Sequence, residues 1–201
     1  MGEGVYDEQR DPERGALLLR SNVHLFGGFA GGELERVARD PGLHPSVIDA
    51  SHGRGGEAAT QGIAIESNTV IDGITLTGVT LDDLDYSNAG VLGGVVTNVE
   101  IRNCIFSEIN SKRGVMLFSK GIGISIVDVQ FLWNTAITGI AAVDLQLCED
   151  VVISDSLFSG NDSKFGALWI YLSSKVRVTN CDFIANTGGA GYVGAGQEIL
   201  L

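Results

Sequence analysis

The sequence predicts an all-β chain, a parallel solenoid in which each coil carries three short strands. Three observations predict it. Five segments, "TVIDGITLTG", "VEIRNCIFSEI", "ISIVDVQFLWN", "VVISDSLFSGN" and "VRVTNCDFIAN", share one pattern of apolar, polar and turn-forming residues. Two apolar columns inside them keep step. One reads Ile71, Ile101, Ile126, Ile153 and Val178, the other Leu76, Phe106, Phe131, Phe158 and Phe183, both at intervals of 30, 25, 27 and 25 residues. No segment of useful length between the copies has helical periodicity, so the crossover helices of an ordinary parallel α/β sheet have no sequence to form them. Parallel strands that return every ~25 residues without helices must stack coil on coil.

The elements follow in order. Residues 1–62 read as irregular N-terminal coils, with "ALLLRSNVHLFGGFAGG" and "PSVIDAS" as strands. The charged "GELERVARDPGLHP" between them reads as an excursion from the tube near 32–45, with one helical turn before Pro41. Residues 63–201 read as regular coils of about 25–30 residues in the same single domain. Each regular coil opens on an alternating strand such as "GIAIES", "AVDLQLCE" or "ALWIYLSS", whose inward column is read as Ile63, Phe118, Leu145 and Ile170, with Gly93 as its weak member. The two strands of the repeat follow, separated by Gly73, Asn103, Asp128, Asp155 and Asn180. These residue types tolerate left-handed backbone and tight bends. Asn134, Asn161 and Asn186 make a similar polar column. The loops "LDDLDYSNAG", "SEINSKRG", "WNTAITG", "SGNDSKFG" and "ANTGGAG" absorb the differences in length. Stacked strands lie ~4.8 Å apart, so each apolar column becomes a ladder inside the tube. Burial of each large side chain there contributes roughly 1.5–3 kcal/mol before entropy is counted.

Composition narrows the function. The chain has 201 residues, 44% hydrophobic and 19% charged, which suits one folded domain rather than a disordered one. A net charge of −12 argues against nucleic acid, whose phosphates need clustered Lys and Arg. No run approaches the roughly 18 apolar residues of a membrane span, so no membrane insertion is expected. The opening "MGEGVYDEQRDPERG" has no signal-peptide pattern. None of the three cysteines lies in a CxxC pair, so no zinc site is expected. Cys104 and Cys181 share a column three coils apart, about 14 Å, beyond the ~7 Å reach of a disulfide. With Cys148 at another corner, three reduced thiols are expected.

The outward positions of the first strand hold the clearest candidate site. Leu117 and Ser119 point out of one coil, Asp144 and Gln146 out of the next, Trp169 and Tyr171 out of the one after. An aromatic pair beside an acid and an amide suits a sugar, whose ring stacks while its hydroxyls hydrogen-bond. The competing reading has Trp169 and Tyr171 covered by a loop or partner. Asp128 and Asp155, in adjacent coils, have the spacing of a glycosidase pair or a calcium site. Their column also holds Gly73, Asn103 and Asn180, which favours a turn role. Asp82, Asp83 and Asp85 crowd one loop but lack the EF-hand order of ligands. His24, His44 and His52 have no metal-ligand spacing. The outward charges Glu100, Arg102, Asp144 and Arg177 are scattered over two faces.

The stretch "VHLFGGFAGGELERVARDPGLHPSVIDAS" and the repeats "VEIRNCIF" from Val99 and "VRVTNCDF" from Val176 carry a family resemblance. From "GVYDEQ" onward the chain resembles the right-handed parallel β-helix proteins of pectin-lyase-like architecture, in particular repeat-containing bacterial secreted and surface proteins. The resemblance implies a right-handed solenoid, a secreted or cell-surface location, and substrate lying along the first-strand face. It also implies incomplete end caps, with neighbouring segments of a longer chain or another chain covering the ends. The polygalacturonase elements GHG, NTD and RIK are missing, and Ser51 precedes His52 in "SHGRGG". No catalytic residue is therefore assigned. The expected function is a non-catalytic scaffold or adhesin-like segment that touches polysaccharide or surface glycan through Asp144, Gln146, Trp169 and Tyr171. The alternative is a polysaccharide lyase or glycoside hydrolase acting on acidic polysaccharide. No cofactor or metal is assigned, with calcium kept as an alternative.

Overall fold

A chain that alternates inward and outward residues and turns at regular intervals can bury its apolar columns only by coiling. The computed structural model does so, and describes residues 1–6, 17–51, 61–80 and 89–201. It is a right-handed parallel β-solenoid with three main faces. The first face is a seven-stranded sheet of Leu17–Leu19, Gln61–Ile65, Ala89–Gly93, Met116–Ser119, Val143–Gln146, Leu168–Tyr171 and Gly191–Gly194. The second runs through Leu25–Phe26, Thr69–Asp72, the first halves of Thr97–Ser107 and Ile122–Leu132, Glu149–Ser154, Ser174–Thr179 and Gln197–Leu200. The third takes Gly4–Tyr6, Ser46–Asp49, Ile74–Thr77, the second halves of the same two long strands, Leu157–Ser159 and Asp182–Ile184. A short three-stranded ladder, Asn110–Ser111, Thr135–Ala136 and Asp162–Ser163, follows the third face.

The two columns read from the sequence stack in register. Ile71 pairs with Ile101, then Ile126, Ile153 and Val178. Leu76 pairs with Phe106, and the four phenylalanines stack at ring separations of 5.7, 4.8 and 4.5 Å. The column of the first face needs a correction. Ile63 pairs with Val91, whereas Ile65 sits two residues on, in line with Gly93, Phe118, Leu145 and Ile170. A slip of two keeps a side chain on the same face, so alternation alone cannot detect it. At Gly93 the ring of Phe118 fills the missing side chain's place, 2.7 Å from where a Cβ would stand.

The bend column behaves as its residue types suggest: Gly73, Asn103, Asp128, Asp155 and Asn180 all have φ between 51° and 75°. Asn134, Asn161 and Asn186 line the turn after the third face and bond along the tube axis. The Asn134 amide donates to the Phe106 carbonyl at 3.0 Å and to the Asn161 side-chain oxygen at 2.9 Å. Asn161 repeats this with Phe131 and Asn186, both at 2.9 Å. The excursion contains one 3-10 turn, Arg36–Ala38, and lies between the second and third faces. Cys104 and Cys148 are buried, Cys181 is half-buried, and all three thiols are unpaired. Burial pushes the Cys104 thiol up to about 12.

Candidate functional site

The outer side of the first face brings the four candidate residues into two adjoining rows. Val143, Leu145, Leu168 and Ile170 point into the core, so the residues between them face outward. One row is Leu117, Asp144, Trp169 and Tyr192; the other is Ser119, Gln146, Tyr171 and Gly194. Trp169 stacks on Tyr192, ring centres 4.2 Å apart and 21° from parallel. Phe165 meets Trp169 edge-on at 5.8 Å, and Tyr171 lies tilted at 6.2 Å. Lys164 holds its ammonium 5.4 Å from the Phe165 ring centre. Four aromatic side chains thus form one cluster, with Phe165, Tyr171 and Tyr192 its most exposed members.

Asp144 differs from its expected exposure. It lies on the outer side but is only 3% exposed, between Leu117 and Trp169 in its row. Gln146 donates to both of its carboxylate oxygens at 3.0 Å. The Arg113 guanidinium approaches at 3.4 Å from the loop that leads into the preceding coil's strand. Burial pushes the Asp144 carboxyl above its ordinary value, and the Gln146 hydrogen bond and Arg113 charge offset this only in part. The arrangement pairs a ring surface with a carboxylate and an amide that fix each other. Such a surface can hold a molecule with one apolar face and a rim of hydroxyls. Sequence reasoning missed Tyr192, Phe165 and Arg113. Tyr192 carried a signal, because "GYVG" occupies the same strand position as "LWIY" one coil earlier. Phe165 and Arg113 stand in loops, where period-2 alternation says nothing about direction.

The molecule also has a polar groove of about 1110 Å³ along the bend between the second and third faces. Asn103, Asp128, Asp155 and Asn180 line its floor, and Glu35, Arg36 and Arg39 of the excursion wall one end. Asn180 donates to Asp155 at 3.1 Å, a contact along the column that fits a turn role. At the walled end the excursion is clamped to the tube. Asp72, fully buried, accepts from Arg39, from Arg102 at 2.7 Å and from Asn103 at 2.9 Å. Burial alone would raise this carboxyl, but the hydrogen bonds from Arg39, Asn103 and Arg102 outweigh it and hold it below its ordinary value.

The remaining candidates are dispersed. His24 accepts the Val70 N–H at 3.1 Å, and the His44 ring nitrogen lies 3.0 Å from Glu3. Glu100, Arg102 and Arg177 belong to the second face, apart from Asp144 on the first. Asp82, Asp83, Asp85 and His52 lie outside the described residues. Among the described residues no three His, Cys, Asp or Glu side chains gather as a metal site. Nor is any helix among them long and apolar enough to cross a membrane.

No curated protein and no solved structure matches the chain. A family described as the right-handed beta helix region matches residues 47–201. Its match spans all of the regular coils, and with the parallel ladders and left-handed corners above it shows that the chain belongs to the right-handed β-helix family.

Proposed function

We propose that this chain is a non-catalytic β-helix scaffold of a secreted or cell-surface protein, and that it binds glycan along the outer side of its first face. The observation that carries this reading is the ring cluster of Trp169, Tyr192, Tyr171 and Phe165 beside the fixed Asp144–Gln146 pair. Rings offer stacking area at low entropic cost, and the half-buried Gln146, held in place by Asp144, sets a polar group at their edge. A glycan array followed by calorimetry tests it. Trp169→Ala should weaken binding at least about tenfold while leaving the circular dichroism spectrum intact. An array response that Trp169→Ala leaves unchanged removes the proposal.

A second reading, a lyase or hydrolase acting on acidic polysaccharide, is favoured by Asp144 itself. A buried carboxyl held above its ordinary value suits proton transfer. Reducing-sugar and unsaturated-product assays on polyuronides, with and without added calcium, separate the two. Turnover that disappears in Asp144→Ala would establish the enzyme and displace the scaffold.

A further inference from the structure

Trp133 occupies the corner after the third face, outside the ring cluster of the first. It is 63% exposed, and its φ of 53° places an aromatic residue in left-handed backbone, a conformation sterically costly for any residue with a Cβ. The same corner holds Glu108 one coil before, with φ 54°, and Gly160 one coil after, with φ 65°. Gly160 is what lets the indole lie down. A Cβ on Gly160 would stand 2.5 Å from Trp133 Cδ1 and 2.9 Å from its Nε1. The ring therefore rests against bare backbone of the next coil.

The corner itself is rigid. The Trp133 N–H donates to the Ser159 carbonyl at 3.0 Å, and the adjoining Asn134 is buried and bonded at both ends of its amide. The indole thus rests on a fixed support and stays largely in solvent. The preceding residue, Leu132, pairs in register with Ser107 and Ser159, so the corner keeps its place in the stack of coils. A rigid, exposed ring offers stacking area at little ordering cost.

We propose that Trp133 is a second glycan-stacking platform, seating one pyranose ring independently of the first face. The proposal rests on the glycan-binding reading only for the class of ligand. Trp133 and Trp169 are the two tryptophans of the chain, so Trp169→Phe leaves Trp133 as the sole indole reporter, and Trp133→Phe leaves Trp169. Both variants are titrated with cellohexaose, xylohexaose, chitohexaose and hexagalacturonate while indole emission is followed. The expected result is a saturable emission change in Trp169→Phe. Adding Gly160→Ala, which displaces the ring from its support, should weaken the apparent affinity at least about tenfold, or about 1.4 kcal/mol. If that variant does not fold, calorimetry of Trp133→Ala against the parent supplies the same contrast.

No response of Trp169→Phe to any of the four sugars at about 10 mM, well above a weak Kd of about 1 mM, overturns the proposal. So does an emission change that follows protein concentration without sugar, which would make Trp133 a contact between copies. A response in Trp133→Phe alone keeps the first-face reading and removes this one, and a response in Trp169→Phe alone does the reverse.

Discussion

Leu147, Leu172 and Ala195 hold left-handed backbone, with φ of 56°, 50° and 52°, at the corner between the first and second faces. Nothing in their chemistry announces this, because leucine and alanine do not favour that region. The bend column was legible because Gly73, Asn103, Asp128, Asp155 and Asn180 are residues that tolerate the conformation. The corner of Leu147, Leu172 and Ala195 was not legible, because the tube imposes it against local preference. The asparagine column was visible as polar spacing, but spacing could not say that its amides point inward. Asn161 gives that distinction an energy. Its side chain donates to the Phe131 carbonyl and accepts the Asn134 N–H, both buried groups. Leaving such groups unpaired costs about 1–3 kcal/mol each, so Asn161→Ala should lower stability by about 2–6 kcal/mol in urea denaturation. A loss below about 0.5 kcal/mol, the range of ordinary surface changes, would mean that water satisfies the vacated partners.

At the scale of elements, the phenylalanine ladder links sequence pattern to cohesion. Phe106, Phe131 and Phe158 are fully buried, while Phe183 is half-buried. Phe158 touches a ring on either side, with interplanar angles of 14° and 6°. Phe158→Ala should therefore cost about 3–5 kcal/mol, and Phe183→Ala clearly less. Equal costs, measured by denaturation of both variants, would show that neither burial nor stacking along the ladder sets the loss. The ladder was legible because its intervals are shared by a second column. The candidate site was legible only in its strand residues: alternation placed Asp144, Gln146, Trp169 and Tyr171 on the outer side. Burial of Asp144 depends on the Arg113 loop and on Trp169 one coil away, and no local pattern encodes either.

For the whole molecule, a single carboxylate fastens the excursion to the tube. Asp72 joins Arg39 of the excursion to Arg102 and Asn103 of the next coil, while Arg36 and Arg39 sit 4.4 and 5.5 Å from the Phe26 ring centre. The Asp72 carboxyl is held below its ordinary 3.8, so its contribution is present above that value and is lost as pH falls through the lower folded one. Asp144 has the opposite sign. Its raised carboxyl favours the folded state below 3.8, and that advantage fades as pH rises through the folded value. Denaturation profiles should lose stability below about pH 4 through Asp72, and Asp72→Asn should flatten that acid limb. An acid limb unchanged in the variant would place the titrating group elsewhere. From Ala89 onward, every difference in repeat length falls in the loops that return to the first face, leaving the corners in line. Extent and cross-section are therefore separable traits. Excising or duplicating one coil's worth of sequence would shift every later side chain along the axis without turning it, like sliding a bead on a ruler graduated every ~4.8 Å.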